Sequence, residues 1–209
     1  MDVVLFTIER GALATLLVQV KDGPYAGRWA FPGGRVPLGE APERTAAREL
    51  EAQTGLRDLY LEQLRTFGDP ARDPEAHVVS IAYFALVPLG SESAAVSPKY
   101  TGARWVAAAH LPALAYDHRR MAEHAIERLR AKLGYTNIVY SLLPHPFTLS
   151  ELQQVYEIIL DRPLDRRNFR KKIQSTGLLQ RVADQRRGAH RPAQLYRFIR
   201  RAPMNVALL

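Results

Sequence analysis

Over the first 108 positions, short runs of β-branched and leucine residues alternate with turn residues, a pattern that predicts strands gathered around one helix. Residues 3–8 and 14–20 are two such runs, separated by Glu9-Arg10-Gly11, which reads as a hairpin turn. Residues 21–27 form a loop, and 29–31 a short strand stopped by Pro32-Gly33-Gly34. Further strands are predicted at 60–66, 77–86 and 103–106, with a Pro/Asp turn cluster at 68–74. A helix over 117–133 closes this part at Gly134.

From Tyr135 the apolar spacing shifts to that of short helices, so the chain is divided into domains at 1–134 and 135–209. The first helix, 136–143, is stopped by Pro144 and Pro146. Thr148 or Ser150 can cap the next helix, Thr148-x-x-Glu151 has the form of a capping box, and Leu152, Val155, Tyr156, Ile159 and Leu160 recur on one helical face behind it. After Asp161-Arg162-Pro163, Asp165 caps a third helix ending near Gly177. Residues 178–182 and 194–199 then read as strands around a basic loop. Helix, helix, helix and hairpin is the order of a winged helix-turn-helix.

Composition narrows the class. Of 209 residues, 47% are hydrophobic and 24% charged, proportions of a globular chain, not a disordered one. No apolar run reaches the roughly 18–20 residues of a membrane span, and an acid at position 2 with no basic start argues against a signal peptide. With no Cys, a disulfide framework, thiolate metal sites and a Cys nucleophile are excluded. A cytoplasmic, nucleoid-associated protein is expected.

The net charge of +8 is unevenly spread. Residues 161–201 hold 13 Lys+Arg against 3 Asp+Glu, while the rest holds 16 against 18. A near-neutral body carrying one basic segment is an electrostatic footprint of nucleic-acid binding. An ordinary solvated basic face remains the alternative on charge alone.

Residues 34–56, GRVPLGEAPERTAARELEAQTGL, carry the most specific pattern. They resemble the Nudix signature, Gly-x5-Glu-x7-Arg-Glu-U-x-Glu-Glu-x-Gly-U, where U is a bulky apolar residue. Gly34, Glu40, Arg48, Glu49, Leu50, Gly55 and Leu56 all fall on register. The resemblance implies an α+β chain beginning with a Nudix α/β/α sandwich. A helix presents residues i, i+3 and i+4 on one face, and carboxylates so placed share divalent cations that polarise a diphosphate. Here Glu49 is kept, but the next two glutamates of the motif are Ala52 and Gln53. Glu51 is no replacement, since i+2 lies roughly 200° around the helix. Either a weaker metal site survives with help from Asp73 or Glu75, or catalysis is lost and the cleft only binds nucleotide. We read the box as vestigial, with no catalytic residue and no required cofactor, and at most weak Mg²⁺ at Glu49. Gly33, Gly34, Arg35, Arg48, Glu49 and Arg72 are the expected ligand contacts, although pairing with Glu40 is the simpler role for Arg48.

The stretches YLEQLRTFGDPARDP, HVVSIAYFALVP and ALAYDH, followed by YTNIVYSLLPHPFTLSELQQVYEIIL, LDRRNFRKKIQSTGLLQ and RPAQLYRF, narrow the resemblance further. They are similar to the Nudix-related transcriptional regulators of NAD metabolism, the NrtR family, from Phe6 to Arg200. That resemblance implies a homodimeric repressor on a palindromic double-stranded DNA operator, sensing ADP-ribose or an NAD-related nucleotide. The alternative is a Mg²⁺-dependent ADP-ribose pyrophosphatase with a C-terminal regulatory domain.

The basic helix can be read independently of any family. Phe169 and Ile173 are four apart and face the core, leaving Arg167, Asn168, Arg170, Lys171 and Gln174 outside. Arg166, Arg167 and Asn168, near its start, are placed to read base edges, while Arg170, Lys171 and Lys172 suit phosphates. In the wing loop, Arg186, Arg187 and Arg191 reach either a minor groove or phosphates. Tyr83, Phe84 and Trp105 read as core before adenine stacking. Asp117 reads as a helix cap before one half of an acid–base pair with His118.

Overall fold

The apolar run at the start of the chain becomes β1 (Asp2–Glu9), which turns through Arg10 and Gly11, both at positive φ (49° and 77°), into β2 (Ala12–Val20). Two central residues at positive φ match the right-handed twist of a tight hairpin. The computed structural model describes residues 1–90, 97–186 and 193–206. The chain divides into two units, Met1–Arg128 and Leu129–Leu209.

In the first unit β3 (Trp29–Ala30) is followed by α1 (Pro42–Thr54), β4 (Tyr60–Phe67), a 3₁₀ turn (Pro70–Arg72), β5 (Ser80–Leu86), β6 (Tyr100–Ala107) and the start of α2 (His118–Tyr135). The strands form one mixed sheet in the order β3-β2-β1-β5-β4, with β6 also paired to β2. β1 runs parallel to β5 and antiparallel to β2. A strand at the centre of such a sheet is covered on both faces, which is why Val3, Val4, Leu5 and Phe6 are all fully buried. On one face Ala46 and Leu50 of α1 pack with Val3, Leu5, Leu16, Tyr83, Ala85 and Val87. Across the sheet, α2 buries Met121, Ala122 and Ala125, and its Arg128 bonds Glu62 of β4 at 3.2 Å. This is the expected α/β/α sandwich. Tyr83 and Phe84 are core residues, 1% and 0% exposed, as expected.

Two expectations change. The strand expected from position 77 begins at Ser80, because Ser80 pairs with Phe67, the last residue of β4, and nothing on that strand lies beyond to pair with 77–79. The helix expected at 136–143 is only a 3₁₀ turn, Ile138–Ser141. All four of its residues are buried, so no amphipathic face directs an α-helix, and Pro144 closes the segment.

The second unit holds that turn, β7 (Phe147–Thr148), α3 (Leu149–Leu160), α4 (Arg166–Ser175), β8 (Leu179–Arg186) and β9 (Ala193–Phe198), the strands paired in the order β7-β9-β8. The capping box is formed: Thr148 Oγ1 accepts from the Glu151 N–H (3.2 Å), and Glu151 Oε2 accepts from the Thr148 N–H (2.7 Å). Leu152, Val155, Tyr156 and Ile159 are buried as spaced, and the Tyr156 ring meets Phe169 of α4 edge-on at 5.2 Å. Between α3 and α4, Glu157 Oε1 accepts from the Leu164 N–H (2.8 Å) and from Gln153 Nε2 (2.9 Å), latching the turn. This is the expected winged helix-turn-helix, with a 3₁₀ turn in place of the first of the three helices and the short strand β7 added. No helix among the described residues is long and apolar enough to cross a membrane.

Candidate functional site

The glycine-to-glycine motif folds as a loop and the helix α1. Pro42 opens the helix and Gly55, at φ 69°, ends it, its N–H bonding the Glu51 carbonyl at 2.7 Å. Glu40 on the loop accepts from Thr45 Oγ1 (2.8 Å) and Arg48 Nη2 (3.0 Å), and these donors hold its carboxyl below the usual range. Arg48 therefore braces the loop, and it also approaches Glu49 Oε1 at 3.5 Å.

Glu49 is nearly buried, its side chain 8% exposed, and it bonds the Lys99 ammonium. Lys99 Nζ also donates to the Gly33 carbonyl at 2.7 Å. Beside it the Tyr100 hydroxyl donates to the same carbonyl and accepts from the Gly33 N–H, both at 3.0 Å; burial pushes that hydroxyl well above its ordinary pKa, so it keeps its proton. Sequence reasoning missed Lys99 and Tyr100. Both stand more than sixty residues from Gly33, and no local pattern marks either.

The motif's remaining positions are dispersed as helix geometry requires. Ala52 is exposed, Gln53 is fully buried with neither amide atom bonded among the described residues, and Glu51 turns away to Arg57 at 2.6 Å. Asp73 Oδ1 caps the Glu75 N–H (3.0 Å), and among the described residues no three His, Cys, Asp or Glu come together as a metal cluster. These groups do not suit Mg²⁺. One carboxylate and one neutral amide offer too little charge, and a second cation already lies against that carboxylate.

Three expected ligand contacts have other partners. Gly33 faces Met1 and Asp2 so closely that a Cβ would stand 2.3 Å from Asp2 Oδ1, and its N–H goes to Tyr100. Gly34 N–H bonds the Met1 carbonyl at 2.9 Å. Neither amide is left to cradle an anion, so the two glycines serve close chain approach instead. Arg72 is buried, its guanidinium 3.0 Å from Asp117 and 3.7 Å from Asp2, and does not face solvent. Asp117 thus commits its carboxylate to Arg72, while its backbone carbonyl receives the Arg120 and Met121 N–H groups at the start of α2. His118, 2% exposed, accepts the Phe31 N–H at Nδ1 (2.9 Å) and stacks on the Phe31 ring. Burial holds its pKa below the ordinary value, against the pull of Asp2. It fixes the Phe31-Pro32-Gly33 segment. Arg35 is exposed.

In the second unit Asp165 Oδ1 accepts the Asn168 N–H at 2.7 Å, capping α4 as its position predicts. Phe169 and Ile173 face inward at 7% and 2% exposure, and Arg166, Arg167, Asn168, Lys171 and Lys172 are exposed. A cavity of about 460 Å³ adjoins the helix, its floor apolar at Leu164 and Phe169 and its rim formed by Asp165, Asn168, Lys171, Lys172 and Ser175. Arg170 departs from expectation: it is half-buried and its Nη2 bonds Ser150 of α3 at 3.0 Å, which ties the two helices together. Arg186 ends β8, and Arg187 and Arg191 lie outside the described residues.

Comparison with known proteins agrees with this division. A family model of the NUDIX domain matches residues 1–127, and one described as the NrtR DNA-binding winged helix domain matches 139–198. The ADPR responsive transcriptional repressor NtrR of Acinetobacter baylyi is 35% identical over 201 residues, 94% of this chain and 80% of that protein. The crystal structure of Shewanella oneidensis NrtR complexed with a 27mer DNA superimposes with a TM-score of 0.84 at 35% identity, over 94% of this chain and 91% of that one. The NUDIX domain of the same Shewanella protein, complexed with ADP ribose, matches 61% of this chain and 85% of its own at 34% identity, TM-score 0.55.

Proposed function

The chain belongs to the NrtR family, and from that premise we propose that it represses genes of NAD metabolism by binding operator DNA under the control of ADP-ribose or a related nucleotide. The observation that carries the reading is α4, whose inward face is apolar while Arg166, Arg167, Asn168, Lys171 and Lys172 stand exposed on the other side. Arginine and asparagine have the forked geometry that matches guanine and adenine edges; lysines bind phosphates as point charges. Arg166, Arg167 and Asn168 read bases, Lys171 and Lys172 hold phosphates, and Arg186, Arg187 and Arg191 extend the contact from the wing. Arg170 acts through Ser150 by seating α4 on α3.

Residues 1–134 sense nucleotide and 135–209 bind DNA. The relative complexed with ADP ribose supports a nucleotide ligand for the first unit, and we place it at the α1 motif, where Arg35 and Arg48 offer exposed guanidinium groups and Glu49 holds the Lys99 ammonium. Arg72 and Asp117 position this site without touching the ligand. With Ala52 and Gln53 at two carboxylate positions, binding replaces hydrolysis, and no cofactor is required. Two copies reading a palindrome place their recognition helices roughly 34–36 Å apart, one DNA turn. For the nucleotide to regulate, it must bind the DNA-bound and free states with different affinity. The protein acts in the cytoplasm, at the nucleoid.

A gel shift on promoter DNA from the chain's own gene neighbourhood, with and without ADP-ribose, tests these claims together. A specific shift that ADP-ribose changes is expected. Its absence at low salt overturns the DNA reading, and rapid Mg²⁺-dependent release of AMP from ADP-ribose overturns the binding-only site.

A further inference from the structure

We propose that the Lys99 ammonium stands where a catalytic Nudix domain keeps its metal, so that this chain grips a diphosphate through a built-in cation and needs no Mg²⁺ to do so. The inference rests on the reading of the α1 motif as a nucleotide site and names the group that would hold the ligand's phosphates.

Four charges alternate along one side of the motif. Glu40 pairs with Arg48, Arg48 approaches Glu49 at 3.5 Å, and Glu49 bonds Lys99. The string ends on a cation. An ammonium has three N–H donors. Two of them are placed among the described residues, one on Glu49 and one on the Gly33 carbonyl at 2.7 Å. Among the described residues the third has no partner, and the side chain is 39% exposed, so its charge faces water from a fixed position. That position is defined on a second side by the Tyr100 ring, 5.1 Å from Nζ.

Gly34 leaves the approach clear. A Cβ there would lie 3.2 Å from Glu49 Oε1 and 3.5 Å from Lys99 Nζ, against the flank of the pair. A divalent ion and the ammonium would compete for the single carboxylate, and the ammonium is covalently tethered. A tethered monovalent charge binds phosphate oxygens by charge-assisted hydrogen bonds but offers no open coordination site to activate water. Retained binding and lost hydrolysis then have one cause.

Calorimetric titration of the full chain with ADP-ribose, and separately with inorganic diphosphate, in EDTA and in Mg²⁺ tests the assignment. Equal affinity for ADP-ribose in both buffers is expected. In EDTA, Lys99→Met weakens it roughly tenfold or more. Glu49→Gln tightens it, since the carboxylate no longer competes for the ammonium or repels phosphate. ADP-ribose binding that requires Mg²⁺, or that Lys99→Met leaves intact, overturns the inference while leaving the nucleotide reading standing. Loss of binding in Glu49→Gln overturns it too, and that arm decides if Lys99→Met does not fold. Absence of ADP-ribose and diphosphate binding in the parent chain under both conditions removes the nucleotide reading and this inference with it.

Discussion

Arg72 holds Asp117 through two guanidinium nitrogens: Nη2 lies 3.0 Å from Oδ1, and Nε lies 3.2 and 3.3 Å from the two carboxylate oxygens. The pair joins the 3₁₀ turn after β4 to the start of α2, and its side chains are 4% and 10% exposed. Removing one partner leaves the other charge buried, so Arg72→Ala is expected to cost about 3 kcal/mol or more in urea unfolding. Arg72→Met with Asp117→Leu should cost less than the single change. A double variant as unstable as the sum of its parts would show that the two residues do not act together.

The two glycines before α1 differ in what surrounds them. Gly33→Ala must push its Cβ against the Met1 carbonyl at 2.5 Å and Asp2 Oδ1 at 2.3 Å, whereas Gly34→Ala meets only side-chain ends at 3.2 Å and beyond. Overpacking costs roughly 1–3 kcal/mol, and Gly33→Ala belongs at or above the top of that range, with Gly34→Ala well below it. Thermal melts of the two variants give the order directly, and the reverse order would contradict the close approach of β1.

On α4, base readers and phosphate holders separate by their response to salt. Arg167→Ala should weaken operator binding by about 1–3 kcal/mol and leave random DNA little changed. Lys171→Ala and Lys172→Ala should weaken both and lower the slope of log K against log salt by roughly 0.9 for each phosphate no longer neutralised. Fluorescence anisotropy across a salt series measures both, and an Arg167→Ala effect of equal size on operator and random DNA would remove its base-reading role.

His118 makes stability fall in mild acid. Its folded pKa lies below the ordinary value because the ring is buried; Asp2 and Asp117 pull it up, and Arg72 pushes it down. The unfolded chain therefore binds more protons below about pH 6.5, so the contribution is intact above that pH and is lost as pH falls toward the folded value. His145 shifts in the same direction through burial and Arg201. Melts between neutral pH and pH 5 should show the decline, with a shallower slope in His118→Asn, which keeps an acceptor for the Phe31 N–H but does not titrate. An unchanged slope in that variant would locate the effect elsewhere.

Much of the fold and part of the site are readable where a signal is local. The capping box at Thr148 and Glu151, the Asp165 cap and the Phe169/Ile173 face each depend on residues three or four apart. The Nudix motif is similar, since Arg48 must reach Glu40 and Gly55 must end the helix. What sequence does not reveal depends on distant partners. Lys99 reaches Glu49 across fifty residues, and Phe31 finds His118 across eighty-seven. Arg72, on a polar loop, has the chemistry of a ligand contact until Asp117 is seen to face it. The strand β7 has only two residues and exists because Phe147 and Thr148 lie beside Tyr196 and Leu195.

Gln53 makes the motif hard to reverse. Its amide is sealed in with no partner among the described residues, so a glutamate there would be a buried, unpaired carboxylate, a burden of several kcal/mol unless a metal came with it. The metal in turn would need the carboxylate that Lys99 already holds, and an acid at the exposed Ala52 alone would attract no ion to the helix. Each step toward a hydrolase is uphill when taken singly, and the gain arrives only when three positions change together. The site behaves as a ratchet: a sensor with this interior stays a sensor.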